Sequence, residues 1–441
     1  MESACLGWAT PPQVVTMETS TSARPQLWPR LRSQPRPGIV LAMLLLVYTF
    51  NFLDRQILSI LAQGVKADLH LTDTQLGLLG GLAFAALYST LAIPLALLAD
   101  RTSRSWVITV SLVVWSGFTA LCGTAQSFTQ MFLFRLGVGV GEAGGVAPSH
   151  ALISDYFPAE RRARALAIYS LGIPLGAAGG MLLGAWIAHA VDWRTAFAVV
   201  GLAGIVIAPL FRWLVRDKPR PVINASAVPV ARVFAILAAK PSFWLLAFGA
   251  AASSTCGYGA GFWLPSLMQR SFGLTVLQTG QFFGAILLTG GVAGIYFGGV
   301  LADRLGRQDK RWYARLPGLC FLAGAPLYFA GVMTHDTTTA FLLFLIPQAL
   351  VYIWLGPVLT AVQHMVPPHM RATASASFLL INNLIGLGLG SWAIGAVSEA
   401  LVPAYGAEAL RYAIAMALGL YVLAGVLMLL GSRSLPRDWV D

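Results

Sequence analysis

Residues 96–104 read ALLADRTSR, and residues 299–307 read GVLADRLGR. A second echo accompanies each copy, because YFPAERRARA at 156–165 is followed in the other half of the chain by VPPHMRATA at 366–374. Both features recur at nearly the same offset, which indicates a duplicated architecture. In a membrane protein, two such halves are typical of a transporter in which one half rocks against the other.

The composition places the chain in a membrane. It is 57% hydrophobic and 11% charged, with 45 glycines among 441 residues, and a soluble protein of this length cannot bury so much apolar surface. Apolar runs of roughly 20 residues, enough to span a bilayer, recur along it. They begin near residues 38, 75, 106, 130, 165, 194, 242, 277, 313, 338, 371 and 408. We predict an all-α membrane protein with twelve transmembrane helices in two pseudo-symmetric six-helix bundles.

The net charge of +11 reflects membrane topology and does not indicate a nucleic-acid partner. If the N-terminus is cytoplasmic, the even-numbered loops and both tails hold most of the 29 lysines and arginines. This asymmetry follows the positive-inside rule, so we expect a multi-pass protein of the cell (inner) membrane with both termini in the cytoplasm. The basic residues of the odd-numbered loops are Lys66, Arg194, Arg270 and Arg411.

The same pattern sets the expected segments of the chain. A stretch rich in Pro, Ser and Thr opens it and reads as a disordered tail, within which Met1 or Met17 is the start. Between the halves, residues 230–239 form either a helix along the membrane surface or an ordinary linker. The predicted segments are a cytoplasmic tail at 1–37, an N-terminal bundle at 38–215, a cytoplasmic connector at 216–240, a C-terminal bundle at 241–431 and a cytoplasmic tail at 432–441.

Four ionisable residues lie inside the predicted spans, where a charge is costly. Asp54 and Arg55 are adjacent in span one and point about 100° apart on a helix, whereas Arg135 and Glu142 in span four share a face about 10 Å apart. We hypothesise that Asp54 and Glu142 exchange protons, and that Arg55 neutralises them or binds an anionic substrate group. The alternative is a static ion-pair cluster that fixes helix packing.

Uncharged polar residues supply the remaining candidates. Tyr258 in span seven and the pair Asn382 and Asn383 in span eleven either bind substrate or hold helices together. His150, near the end of span four, is either a proton relay or a packing residue. A stripe of glycines at 172, 176, 180 and 184 predicts a close helix crossing between or within the halves.

Several of these motifs resemble the major facilitator superfamily. They are the twelve spans, the repeated Asp-Arg-x-x-Arg loops and RLGVGVG at 135–141. Within that superfamily, NFLDR at 51–55 and GVGEA at 139–143, followed by DYFP at 155–158, resemble the Spinster-like branch. The loop copies differ, since the first begins with Ala96 where the second keeps glycine.

The resemblance implies a secondary active, proton-coupled carrier of lysolipids and related amphiphiles, working by alternating access. The organic anion:cation symporter branch, which carries sugar acids and similar carboxylates, has a comparable span-one Asp-Arg and span-four Glu-Ala and is the alternative. Candidate substrate-binding residues are Arg55, Arg135, Asn51, Tyr258, Asn382 and Asn383.

The repeated loops are expected to act as gates. Their aspartates suit helix ends, and their arginines reach carboxylates or helix carbonyls on neighbouring helices. Such pairs would hold the cytoplasmic side shut in the outward-facing state, although simple positive-inside anchoring also accounts for the arginines. The gating candidates are Asp100, Arg101, Arg104, Asp303, Arg304, Arg307, Arg162 and Arg371.

Other function classes find little support in the sequence. No nucleotide-binding loop, zinc spacing or nucleophile elbow is recognisable, so we predict neither an enzyme nor a catalytic, metal or cofactor site. A non-transporting receptor remains the other possibility. The expected partners are a small-molecule substrate (an amphiphile or an organic anion) and the lipid bilayer, with a proton gradient as driving force and a monomer as the working unit.

Overall fold

A computed structural model describes residues 35–218, 230–367 and 370–440, and within them the chain is helical. The predicted start of the chain and most of its N-terminal tail lie outside the described residues, as does part of the connector. The helices of the N-terminal half and connector are α1 (Pro37–Asp68), α2 (Asp73–Gly80), α3 (Leu82–Arg101), α4 (Arg104–Cys122), α5 (Phe128–Glu142), α6 (Val146–Tyr156), α7 (Ala159–Ser170), α8 (Gly172–Ala190), α9 (Trp193–Leu214) and α10 (Val230–Ala238).

The C-terminal half repeats this plan. Its helices are α11 (Pro241–Ser271), α12 (Val276–Ile286), α13 (Val292–Gly306), α14 (Trp312–Met333), α15 (Thr337–Tyr352), α16 (Leu355–Gln363), α17 (Arg371–Asn382), α18 (Gly388–Tyr405), α19 (Ala409–Ala417) and α20 (Gly419–Asp438). A π-helical turn at Leu287–Gly291 joins α12 to α13, and another at Asn383–Leu387 joins α17 to α18.

Helices occur at or near all twelve predicted starts. By length and apolar character, nine helices of the described residues can cross a membrane, or ten if the bent pair α10–α11 counts as one. Two features explain the smaller number. Residues 373–438 are counted as one span although Gly406, at φ 54°, separates α18 from α19. The fourth predicted span is divided into α5 and α6 by a turn at 143–145, and each part is too short to be counted.

The duplication extends to helix capping. Thr72 accepts a hydrogen bond from the backbone N–H of Gln75 and Gln75 caps it in return, which begins α2. Thr275 and Gln278 form the same capping box at the start of α12. A capping box satisfies two backbone donors of a helix terminus. The second helices of the two halves therefore begin by the same local mechanism.

The glycine stripe brings α8 against α1 within the N-terminal half. A Cβ atom at Gly176 would lie 2.2 Å from the Thr49 carbonyl oxygen, and one at Gly180 would lie 2.5 Å from that of Leu53. Such distances are possible only because glycine lacks a side chain. The predicted close crossing is confirmed, and it fixes the helix that carries Asp54 and Arg55.

The connector and the C-terminus both pack on the protein. The connector contains a helix, α10, and is not an ordinary linker in this stretch. α10 meets α11 at 96°, with Val233 and Leu237 fully buried. α20 continues to Asp438, past residue 432, where the C-terminal tail is predicted to begin. Beyond it, Trp439 stacks on His364 with 4.5 Å between ring centroids.

Substituting Gly176 with alanine tests this crossing. We expect Gly176→Ala to destabilise the protein by about 1–3 kcal/mol, because overpacking forces the two backbones apart. Gly179→Ala is the matched control, since a Cβ there meets nothing closer than 3.6 Å. Thermal unfolding in detergent measures the effect, and equal melting temperatures for the two variants would show that the crossing is not tightly packed.

Candidate functional site

An ion pair inside the membrane joins span one to span four. Arg55 Nε on α1 donates to Glu142 Oε2 at the end of α5 over 2.7 Å. The glutamate side chain is 0% exposed and the arginine side chain 11%. Glu142 is the last residue of its helix, where the carbonyl groups concentrate negative charge, so a cation beside it is favoured. The turn at 143–145 ends the helix there.

Aromatic rings enclose the Arg55 guanidinium. Its Cζ atom lies 5.0 Å from the ring centroid of Phe52, 4.8 Å from that of Phe84 and 4.6 Å from that of Tyr88. These rings cover its faces and attract its charge. One of its nitrogens, Nη2, and the second oxygen of Glu142 are buried without a hydrogen-bond partner. The pair therefore keeps hydrogen-bonding capacity for a further group that approaches along the edge of the guanidinium.

Asp54 faces away from the Arg55 pair. It is 2% exposed and accepts a hydrogen bond from Thr119 on α4. With Ser116 and Gly201 it lines a small cavity between α1, α4 and α9, and its second oxygen has no hydrogen-bond partner. The two acids predicted to exchange protons thus occupy different surroundings within the same half.

Arg135 also stands apart from the Arg55 pair. Its Nε donates to the Leu79 carbonyl at 3.4 Å, and its Cζ lies 5.5 Å from the Phe84 ring centroid. The Phe84 ring contacts both Arg55 and Arg135. Arg135 is 2% exposed.

The polar candidates divide between packing and open positions. Asn382 accepts from Ser254 Oγ at 2.9 Å and donates to Asn383 at 3.3 Å, which fits a role in holding α17 to α11. Tyr258 on α11 is 36% exposed. Asn51 is buried beside Glu142. Of the polar candidates in the C-terminal half, Tyr258 is the most exposed.

Asp73, the first residue of α2, joins the two halves on the side opposite the repeated loops. Its carboxylate, 5% exposed, accepts from both terminal nitrogens of Arg270 at 2.7 and 2.8 Å. It also accepts from Ser398 Oγ at 2.9 Å and pairs with Lys66 at 2.5 Å. Bidentate pairing of this kind is strong and geometrically specific.

More bonds between the halves surround this Asp73 cluster. Glu399 accepts from the backbone N–H of Thr74 at 3.1 Å. Gln63 donates to Ser266 Oγ at 2.8 Å and accepts from Arg270 Nε at 2.8 Å. All these partners lie on one side of the molecule, near the last residues of α1 and α11, the first residues of α2 and the C-terminal part of α18. The halves are therefore closed on the side opposite the repeated loops.

The first repeated loop forms its bonds within one half. Arg104 donates to Asp155 at 2.6 Å and to Asp100 at 2.8 Å. Asp217 accepts from the backbone N–H of Arg104 at 3.0 Å and so caps α4. This network ties the loop after α3 to the ends of α6 and α9. It anchors the N-terminal bundle, and the proposed gating role stays a prediction.

The second repeated loop forms fewer ion pairs, since Asp303 forms none with a described residue. In the motifs that accompany the two loops, Arg162 donates to the Ser154 carbonyl at 3.1 Å and Arg371 contacts His364 at 3.2 Å. The loop arginines that are exposed and make no ion pair with any described residue are Arg101, Arg304 and Arg307.

The Asp73 cluster was not predicted from the sequence, in which Lys66 and Arg270 stand only as loop residues. Basic residues are few in the odd-numbered loops, and these two exceptions were the available signal. The repeated Thr-x-x-Gln motif next to Asp73 was a second one, since it predicts a helix start that would place the carboxylate.

Comparison with known proteins decides the family. The sequence profile of the Major Facilitator Superfamily matches residues 44–391. The chain belongs to this superfamily. A protein from Mycolicibacterium smegmatis named "MFS-type efflux pump" is 33% identical over 408 residues, covering 92% of this chain and 95% of that protein. Drosophila melanogaster "Protein spinster" is 29% identical and covers 82% of this chain and 62% of its own length.

Solved structures agree with this assignment to the Major Facilitator Superfamily. A bacterial homologue of the human lysosomal transporter Spinster, in an inward-facing and unoccupied conformation, matches with a TM-score of 0.83. It is 29% identical and covers 93% of this chain and 99% of its own. The two six-helix bundles of the superfamily fold are thus confirmed, as is the resemblance to the Spinster-like branch. The chain is a transporter and not an enzyme.

A double-mutant cycle on the Arg55 pair tests its energetics. Removing either partner leaves a buried unpaired charge, so we expect Arg55→Gln and Glu142→Gln each to cost about 3–5 kcal/mol. The double variant, in which both charges are gone, should recover much of that loss. Unfolding in detergent gives the three stabilities, and additive losses would show that the two residues are not coupled.

Substituting Asp73 with asparagine tests the closure between the halves. We expect Asp73→Asn to shift the population toward a form open on that side, because the bidentate pair and the Lys66 contact are lost. Spin labels at Thr124 and Thr338, both exposed on that side, report the change as a longer distance. Asp68→Asn is the control, since Asp68 pairs with Arg194 of its own half. Identical distance distributions for both variants would contradict a closing role.

Proposed function

We propose that this protein is a proton-coupled secondary transporter that moves an amphiphilic or organic-anion solute across the cell (inner) membrane by alternating access. The observation that carries the proposal is the Arg55–Glu142 pair, buried at mid-span with unpartnered polar atoms on both members. A buried ion pair that can open is a site where binding an anion and binding a proton become linked.

The linkage follows from charge balance. An anionic group that binds Arg55 competes with Glu142 for the guanidinium, and arginine keeps its charge throughout. The displaced carboxylate would then be buried without a cation, which is costly unless it takes a proton. Anion and proton therefore occupy the site together, and the total charge inside the membrane stays unchanged. In this scheme Asp54 is a second protonation site, held by Thr119 on the other face of α1.

A transport cycle with alternating access requires each end of the protein to be assigned to one side of the membrane. We place the repeated loops and both termini in the cytoplasm, in keeping with the charge asymmetry. The Asp73 cluster then closes the outer side, and the described conformation is inward-facing, as is the Spinster homologue with TM-score 0.83. Opening outward requires the Asp73–Arg270 contacts to break. The gating arginines that make no ion pair with a described residue, Arg101, Arg304 and Arg307, would then approach partners in the opposite half. We propose that a single chain suffices for this cycle.

The surroundings of Arg55 favour an amphiphile. Its guanidinium is enclosed by Phe52, Phe84 and Tyr88. An anionic head with an apolar body suits such a wall better than a solute with hydroxyls on all sides. A sugar acid is the second candidate, because a Bacillus subtilis protein named "Hexuronate transporter" is 28% identical over 332 residues.

Flux in proteoliposomes tests this function. Glucuronate and a short-chain lysophosphatidylglycerol serve as probes for the two substrate classes. We expect an imposed proton gradient to accelerate transport of one probe, and Glu142→Gln to abolish that acceleration because the displaced carboxylate no longer takes a proton. Asp54→Asn should weaken the acceleration as well.

Glu160→Gln is the control for these acid variants, because Glu160 is exposed on α7. Flux that is independent of the proton gradient in the wild type, or unchanged coupling in Glu142→Gln, would refute the proposal. Saturable transport of glucuronate but not of the lysolipid would assign the sugar-acid alternative.

A further inference from the structure

Arg212, in the last turn of α9, is a cation that the proposed function does not use. Its Cζ atom lies 4.8 Å from the ring centroid of Trp106, near the start of α4. The guanidinium makes no hydrogen bond or ion pair with any residue that the structure describes, and its Nε atom is buried without a partner. The edge that carries the two terminal nitrogens is therefore free to bind a further group.

The acidic side chains at this end of the N-terminal bundle are bound elsewhere. Asp217, which follows α9, accepts from Ser105 Oγ at 2.8 Å and from the backbone N–H of Arg104 at 3.0 Å. Asp155 accepts from the Arg104 side chain at 2.6 Å. No carboxylate among the described residues pairs with Arg212, so its charge is available to an anion from outside the protein.

Two tryptophans place Arg212 at the boundary between lipid and water. Trp106 is 51% exposed and Trp213 is 66% exposed. Both lie at the ends of α4 and α9 that face the side of the repeated loops. Tryptophan is enriched where a membrane protein crosses the headgroup layer, because its ring is apolar and its N–H is polar. An arginine beside these two rings lies at the depth of the lipid phosphates.

An apolar surface runs from these tryptophans toward the middle of the membrane. Exposed residues recur at spacings of three and four on each helix, which places them on one face. They are Val110 and Val113 on α4, and Leu202, Val206 and Leu210 on α9. The two helices pack closely, since a Cβ atom at Gly201 would lie 2.5 Å from the Ser116 carbonyl oxygen. A phosphate at Arg212 with acyl chains along this surface is the arrangement of a phospholipid, whereas a free phosphate would leave the apolar surface unused.

We propose that α4 and α9 form a binding site for an anionic phospholipid on the side of the repeated loops, the α4–α9 site. The lipid phosphate accepts from the terminal nitrogens of Arg212, whose planar fork matches phosphate oxygens and whose charge is permanent. Trp106 holds the guanidinium by a cation–π contact, and Trp213 borders the headgroup. A zwitterionic headgroup brings its own cation, which offsets the attraction to Arg212, so a headgroup with net negative charge binds better.

Photocrosslinking in detergent solution locates and ranks the bound lipid. The probe is a phosphatidylglycerol with a diazirine in one acyl chain, and mass spectrometry measures its attachment to peptides that contain residues 106–113 and 202–213. Unlabelled phosphatidylglycerol, phosphatidylcholine and inorganic phosphate are the competitors. We expect phosphatidylglycerol to displace the probe at a concentration roughly fivefold lower than phosphatidylcholine does, and inorganic phosphate not to displace it.

Two variants test the residue that carries the proposal. Arg212→Gln removes the charge, so phosphatidylglycerol and phosphatidylcholine should compete equally for the peptides of the α4–α9 site. Arg433→Gln is the matched control, because Arg433 is exposed near the end of α20 and stacks on no aromatic ring of the described residues. It should keep the preference of the wild type.

Equal competition by the two lipids in the wild type, or an unchanged preference in Arg212→Gln, would overturn the α4–α9 site. Displacement by inorganic phosphate would show that Arg212 binds a soluble anion and would overturn the lipid assignment. Crosslinks are counted only on α4 and α9, so the result is independent of whether a lysolipid is transported through the Arg55 pair.

Discussion

The Arg55–Glu142 ion pair is the interaction on which the rest of this structure depends. Two opposite charges 2.7 Å apart inside a membrane are tolerated because they neutralise each other and because aromatic rings stabilise the guanidinium. Folding the chain therefore means bringing α1 and α5 together in one register. The glycine crossing of α8 on α1 and the turn after Glu142 both serve that requirement.

The duplicated architecture surrounds a site that is not duplicated. Capping boxes at Thr72 and Thr275 start equivalent membrane spans, and the repeated loops lie at the ends of these spans. The charged pair has no counterpart among the described residues of the C-terminal half, whose polar candidates are Tyr258 and an asparagine pair. In the proposed mechanism, one half holds the charge to which the substrate and the proton bind, while the other half moves across it.

The large features of the fold follow from the sequence alone, because long apolar runs and loop charges report membrane spans directly. The approximate starts of the spans could be predicted from these runs. Arg55 and Glu142 could be singled out as site candidates, because a charged residue within a hydrophobic run is conspicuous. The orientation of Asp54 could not, because a single sequence does not show which helices pack on each face of α1. The Asp73 cluster was also hidden, as it forms between residues about 200 or more positions apart that look like ordinary loop polar groups.

In the proposed mechanism, an anion displaces Glu142 from Arg55 and the displaced carboxylate takes a proton. The most direct measurement is proton uptake by the purified protein in weakly buffered detergent solution when the transported probe, glucuronate or lysophosphatidylglycerol, binds. The account predicts about one proton taken up for each probe molecule bound, and none in Glu142→Gln although the probe still binds. Proton release on binding, or an equal uptake in Glu142→Gln, would contradict it.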